Sequence, residues 1–211
     1  MEKANYRTID ACRVCGSKNL ISELSLGDLY VSNFFENSQA QDDNAVNVPL
    51  ELMLCNEKDG GCGLLQLKHT VSNEAMYRNY WYRSGINKSM TDELKGIVEK
   101  VEKIVPLKSG DFIIDIGSND STLLRAYKTS GLNRVGFEPA RNLVEKYGKE
   151  GVTDIITDFF GFSAWQEKFG SARAKVITAI AMFYDLDEPN LFVDDIMKCL
   201  DDEGLLIIQM M

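Results

Sequence analysis

The chain is expected to fold as an α/β protein, a doubly wound parallel sheet of five strands behind a small cysteine-bearing module. Past Pro106, short and nearly all-apolar stretches alternate with amphipathic ones, the texture of strands covered on both faces by helices. Four of the five cysteines lie before residue 63. With 211 residues and 45% hydrophobic content, the chain can bury one large core, or a small and a medium one.

From Met1 to about Arg83 the pattern is irregular, with short apolar stretches and a polar insert, Asn37 to Asn47, that reads as a surface loop. From Thr91 to Val105 the apolar positions Leu94, Ile97, Val98, Val101, Ile104 and Val105 recur at helical spacing after an N-terminal turn rich in Thr91, Asp92 and Glu93. Then come strand Phe112–Ile116, a helix from about Thr122, strand Arg134–Glu138, a helix from about Ala140 and a strand near Thr153–Thr157. Strand Lys175–Ala181, a helix near Asn190–Leu200 and strand Leu205–Met210 complete the series. The implied organisation is a small domain over 1–83, a connecting helix over 84–106 and the sheet domain over 107–211, incomplete in that Met211 directly follows the fifth strand. A bare edge strand there leads us to expect an oligomer or a complementing C-terminal half.

The 32 acidic against 23 basic residues give a formal charge of -9, the opposite of the footprint of a nucleic-acid binder. The polar opening MEKANYRTID and the absence of an apolar run near the roughly 18 residues that cross a bilayer predict neither signal peptide nor membrane span. The expected compartment is therefore cytoplasmic, where cysteines are thiols or metal ligands rather than disulfides.

Cys12-Arg-Val-Cys15-Gly16 has the two-residue gap that lets two thiolates converge on one ion, and Cys62-Gly63 repeats the Cys-Gly ending. Cys55 and Cys62 stand farther apart than the usual two to four residues. A closed set of Cys12, Cys15, Cys55 and Cys62 predicts a structural Zn2+ with no open position for chemistry; the alternative is four ordinary reduced thiols. Cys199 sits in an apolar helical pattern as a buried small residue.

FIIDIGSNDSTLLRAY runs from strand through a polar loop into a helix, with Asp115 at the strand end and Gly117 in the turn, the form of a cofactor loop. It lacks the lysine of a phosphate-binding loop and the later glycines of a dinucleotide fingerprint. Acids suit a cationic cofactor: S-adenosylmethionine carries a sulfonium and an ammonium, where a pyrophosphate would seek amides and a helix terminus. Asp115 and Asp120 fit the cation, with Gly117 and Asn119 in the same loop. Glu138 ends the second strand where an acid accepts from ribose hydroxyls. Asp158 after the third strand suits an adenine amino group, with the ring of Phe159 or Phe160 over the base. Each acid alone also reads as a helix cap or a solvated strand end.

In that order CRVCG, CGLLQL, YWYRSGINKSM, DIGSND, GFEPA and ITAIAMFYDLDEP resemble the zinc-containing sugar C-methyltransferases that act on nucleotide-linked deoxy-keto-sugars, over almost the whole chain. The resemblance implies a class I methyltransferase Rossmann-like domain beside a small zinc domain, methyl transfer from S-adenosylmethionine to carbon, and a sugar site shared with a third, C-terminal domain. It places Tyr80 and Tyr82 at the sugar site, where a phenol donates to the developing oxyanion; an aromatic packing cluster with Tyr77 and Trp81 is the alternative. Ser84 and Asn87 lie in the same segment. Met182, Phe183 and Tyr184 are expected to line the acceptor pocket, or else simply to turn through Asp185 and Pro189 into a helix. The chain departs from the family at Ser121, where glycine is usual, and lacks the later histidine and glutamate that supply acid-base chemistry. His69, outside the matching motif, reads as structural. A cofactor-binding subunit without turnover and a zinc-ribbon interaction scaffold are the competing readings.

Overall fold

The computed structural model describes residues 6–31 and 47–210, which cluster into two units. The insert assigned to Asn37 to Asn47 lies outside the described residues, apart from Asn47.

The first unit runs to Met76 and takes in Asp187–Asn190. Strand β1 (Tyr6–Thr8) will pair with a later strand, while β2 (Leu20–Tyr30), β3 (Asn47–Cys55) and β4 (Leu65–Leu67) form an antiparallel sheet in that order. The partner of β1 is β5 (His69–Val71), and α1 (Asn73–Tyr77) follows. Two small sheets thus occupy a region that reads as irregular in sequence. The reason is visible in β2: beyond Leu20 every side chain is exposed, so no alternation marks it as a strand. Gly27, at a φ of +73°, makes the irregularity between Ser25 and Asp28 where β2 and β3 slip register. His69 packs edge-on against Tyr6, with ring centroids 5.3 Å apart, as a structural residue.

The second unit spans Tyr77–Leu186 and Leu191–Met211. Its first long element, α2 (Lys88–Ile104), starts three residues before the expected Thr91 because Asn87 caps it, accepting from the Ser89 amide at 3.0 Å. Then follow β6 (Phe112–Ile116), α3 (Thr122–Ala126), β7 (Asn133–Phe137), α4 (Arg141–Leu143) running into a wide turn over Val144–Gly148, and β8 (Asp154–Ile156). The series ends with α5 (Phe162–Phe169), β9 (Ala174–Ile180), α6 (Pro189–Cys199) and β10 (Leu200–Gln209). All five strands are parallel in the order β10-β9-β6-β7-β8, the expected doubly wound sheet.

Period-two alternation sends side chains to two cores. Ile113 and Val176 face α2 and α3, packing with Leu94, Val98, Val101, Leu123 and Leu124; α2 is therefore part of this unit's core rather than a bare connector. Ile114, Ile116, Ile177 and Ala179 face the other way, onto Trp165 of α5 and Phe192 and Ile196 of α6, with Cys199 fully buried among them as expected. Helix α5 is an addition to the expected series, and its Phe162, Trp165 and Phe169 repeat at helical spacing.

Trp165 has no exposed surface and its indole donates to the Ala172 carbonyl at 2.7 Å. Trp165→Ala is expected to destabilise the second unit by about 3–5 kcal/mol, read as a lower denaturant midpoint.

Candidate functional site

In the first unit the ligand atoms of Cys12, Cys15, Cys55 and Cys62 all lie within 4.8 Å of one another. Cys12 and Cys62 sulfurs are 3.6 Å apart and those of Cys15 and Cys55 3.5 Å. A tetrahedral ion at about 2.3 Å from each thiolate requires sulfur separations of roughly 3.8 Å, so the donor set fits Zn2+. The backbone dictates the convergence. Gly16 and Gly63 adopt φ of +73° and +78°, and the Gly16 amide bonds back to the Cys12 carbonyl at 2.9 Å. The six-residue gap before Cys62 is taken up by a turn at Glu57–Asp59 and by Gly60–Gly61, and the Cys62 amide then points at the Cys55 sulfur at 3.3 Å. A Cβ on Gly61 would sit 2.6 Å from that sulfur, so only glycine closes the loop. Arg13 and Val14, between the first two cysteines, hold Asp187–Asn190 in this unit: the Arg13 Nε pairs with Asp187 at 3.3 Å, and Asn190 donates to the Val14 carbonyl at 2.8 Å.

In the second unit the cofactor loop follows β6. Gly117, Asn119 and Ser121 all take positive φ, +70°, +53° and +62°. Ser121 holds the left-handed conformation with its hydroxyl donating to the Gly148 carbonyl at 2.9 Å. Glu138, one residue past β7, is buried, accepting from the Asn119 amide at 2.7 Å and the Ala140 amide at 2.8 Å. Asp115 is buried beside it and accepts from the Thr178 hydroxyl at 2.5 Å. Burial pushes the Asp115 carboxyl up to about 7, against the lowering by Thr178, and the nearby Glu138 adds to the rise. Burial likewise raises Glu138 above the usual carboxylate range. No lysine or arginine acts on either acid among the described residues. Two desolvated carboxyls without a cation fit a ligand that brings positive charge.

The remaining loop side chains serve the protein. Asp120 accepts from the Gly85 amide at 2.9 Å, the Thr122 hydroxyl at 2.6 Å and the Thr122 amide at 3.2 Å, with the Arg83 Nε 3.3 Å away. The Asn119 side chain accepts from the Ser84 amide at 2.9 Å and donates to the Tyr82 carbonyl at 3.0 Å. Asn87, in the same segment, is the cap of α2. Asp158 pairs with Arg78 at 2.7 Å and accepts from the Phe159 amide, while the Arg78 guanidinium lies 4.6 Å over the Phe159 ring; the Asp158 carboxyl is held below its ordinary value, these bonds outweighing burial. Phe160 instead packs edge-on to Phe137 at 5.0 Å.

Phenols gather around an acid that sequence reading took for a turn residue. The Tyr77 and Tyr80 rings are 6.1 Å apart, and Asp185 acts on both phenols. Burial, then the charge of Asp185, raises the pKa of both tyrosines, and Tyr82 and Glu138 also act on Tyr80. Tyr184, raised by burial and by Asp185, joins them although it is as exposed as Trp81 and Tyr82. Burial lifts Asp185 above its ordinary value, with Tyr77 opposing. Only its place just past β9 could have marked Asp185 beforehand. Met182 lies against Gly117, while Phe183 packs into the core on Phe192, centroids 5.9 Å apart, rather than among the phenols.

A five-stranded parallel sheet with this order, and acids at the ends of its first two strands, defines a class I methyltransferase fold with its S-adenosylmethionine-binding edge. The chain matches the family described as "Methyltransferase domain" over residues 86–211 and that described as "Putative zinc binding domain" over residues 12–77. It belongs to the methyltransferase-domain family. It is 22% identical over 203 residues to the C-methyltransferase NovU of Streptomyces niveus, covering 96% of this chain and 47% of that protein. The chain thus spans about half the length of this curated relative. Among solved structures, a chain from the complex of the Haloferax volcanii Trm112 methyltransferase activator aligns over 59% of this chain and 55% of its own (18% identity, TM-score 0.45). The plantazolicin methyltransferase BpumL with S-adenosylhomocysteine aligns over 55% and 44% (13% identity, TM-score 0.44). No helix of the described residues is long and apolar enough to cross a membrane.

Two outcomes are expected. Purified protein should carry one zinc per chain by elemental analysis, and Cys55→Ser should lose it and speed amide exchange across the first unit. Asp115 ionises near 3.9 when unfolded and near 7 when folded, so the folded state binds the extra proton between these values. Its contribution to stability is full below about pH 4 and is lost as pH rises through 7. Asp115→Asn should flatten the fall in denaturation midpoint between pH 5 and 8, a window bracketing the folded value of about 7.

Proposed function

We propose that this chain is the cofactor-binding part of an S-adenosylmethionine-dependent methyltransferase that acts on carbon of a nucleotide-linked keto-deoxysugar. The observation that carries the reading is the buried Asp115–Glu138 pair at the carboxyl edge of β6 and β7, on which no lysine or arginine among the described residues acts. Glu138 would accept from the ribose hydroxyls, the Gly117–Asn119 backbone would lie against the amino-acid end, and Asp158 with Phe159 would meet the adenine. The bound cofactor supplies an electrophilic methyl group on a positive sulfur.

Carbon methylation requires that a proton leave the carbon beside a ketone and that the resulting enolate oxygen be stabilised. Tyr80 and Tyr82 are the residues we assign to the oxyanion. Tyr80 is half-buried, and its partial burial, then the charges of Asp185 and Glu138, keep its phenol protonated, which makes it a donor rather than a base. Met182 and Tyr184 would flank the acceptor. The likeness to a C-methyltransferase along 96% of the chain supports transfer to carbon, and the six ordered motifs support a sugar acceptor. Since the chain spans 47% of that relative, further acid-base groups are assigned to a C-terminal half outside this sequence or to a complementing partner.

Calorimetric titration with S-adenosylmethionine tests the reading. Micromolar binding that Glu138→Ala weakens by about a hundredfold or more, the loss of a charge-assisted pair of hydrogen bonds, is the expected result. No binding by the folded, zinc-loaded chain would overturn it.

A further inference from the structure

The segment from Arg78 to Gly85 belongs to no strand and to no long helix, yet it is tied at regular intervals to the loops at the carboxyl edge of the sheet. The Arg78 side chain pairs with Asp158 after β8, and its carbonyl accepts from the Arg141 amide at 3.2 Å. The Asn142 side chain accepts from the Tyr80 amide at 3.0 Å and donates to the Tyr80 carbonyl at 2.8 Å. Asn119 does the same two residues on, donating to the Tyr82 carbonyl and accepting from the Ser84 amide. Asp120 then takes the Gly85 amide, and the Arg83 guanidinium lies 4.2 Å over the Tyr147 ring. A Cβ on Gly85 would come within 2.6 Å of the Asp120 carboxylate, so the segment has to sit close. The ties run from β8 through β7 to β6, following the sheet order.

Each asparagine offers one donor and one acceptor to one stretch of backbone, which a strand neighbour would otherwise do. Asn119 is the junction: its own amide is bonded to Glu138 while its side chain grips residues 82 and 84. We propose that Asn142 and Asn119 are positioning residues that hold Tyr80–Gly85 as a strap across the cofactor edge, so that a nucleoside cofactor seated on Glu138 fixes the phenols the strap carries. The proposal rests on the cofactor reading above. A ligand that rigidifies the Glu138–Asn119 junction lowers the freedom left to the strap, and the strap, tied to the edge through the Asn142, Asn119 and Asp120 side chains, is where that change registers.

The strap carries its own probe. Of the two tryptophans, Trp81 is in it and 43% exposed, while Trp165 is fully buried. Acrylamide quenching of the full chain should therefore report Trp81. On titration with S-adenosylmethionine, quenching is expected to fall in parallel with calorimetric saturation. Asn142→Ala should leave Trp165 emission, zinc content and cofactor affinity in place, the last within about threefold, and should lose the protection of Trp81. Asn142→Asp, which keeps the acceptor and loses the donor, should retain part of it, and Asn119→Gly, which preserves the backbone conformation, should lose it as well. Absence of calorimetric binding would overturn the cofactor reading and this one together. Binding without protection of Trp81 would overturn the strap coupling alone, as would full protection in Asn142→Ala.

Discussion

One carboxylate joins the loops on which the sheet's carboxyl edge depends. Glu138 accepts from Asn119 with one oxygen and from Ala140 with the other, tying the turn after β6 to the start of α4. Close approach of the two strands is a precondition: a Cβ at Gly136 would stand 2.5 Å from the Ser118 hydroxyl, and the amides of Gly117 and Ser118 both reach the Phe137 carbonyl. The left-handed residues of the loop follow from this geometry, because the chain must double back within a few residues to enter α3. Burying a charge with only two amide donors is costly, and Asp115 beside it adds to the cost. Such a site is stable in a well-packed core and strongly biased toward whatever cation enters.

The two units hold together by different means. The second has two continuous apolar clusters, one on each face of the sheet. Among its described residues the first has little apolar interior, with β2 almost wholly exposed, and its buried residues include Cys12 and Cys55 themselves. A domain of that size with so small a core is the case in which metal-binding free energy becomes folding free energy. That Arg13 and Val14 of the metal loop also hold Asp187–Asn190 makes the cysteine cluster the anchor of a chain segment far away in sequence.

How much of this was legible in the sequence follows from which signals are local. Strands β6 to β10 could be read because each carries a short, mostly apolar stretch set off by polar turns and amphipathic helices. Strand β2 could not, since its exposed side chains carry no alternation, and α5 was missed because eight residues with three aromatics leave a short periodic record. The metal ligands were legible from spacing, though the Cys55–Cys62 interval made sense only once Gly60 and Gly61 were seen to fold it back. Acids at strand ends were legible from topology. Their partners were not: Asn119 and Asp120 look like cofactor residues by position, and only tertiary structure shows their side chains engaged with residues about 35 positions upstream. Asp185 was hidden for the opposite reason, since an acid before a proline-led helix is ordinary turn chemistry.

The same negative charges that suit the edge to a cation also set the state of its phenols. Burial first and Asp185 second raise Tyr77, Tyr80 and Tyr184, and Glu138 adds to the effect on Tyr80, so these hydroxyls keep their protons well above neutral pH. A phenol held protonated donates a hydrogen bond to a developing oxyanion without first having to acquire a proton. When positive charge enters beside Glu138, it favours the ionised acid and at the same time eases ionisation of Tyr80, so the donor becomes more acidic when the cofactor is in place. On the proposed function, cofactor binding and oxyanion stabilisation would be two consequences of one electrostatic arrangement, and the proposed strap would keep the Tyr80 phenol within its reach.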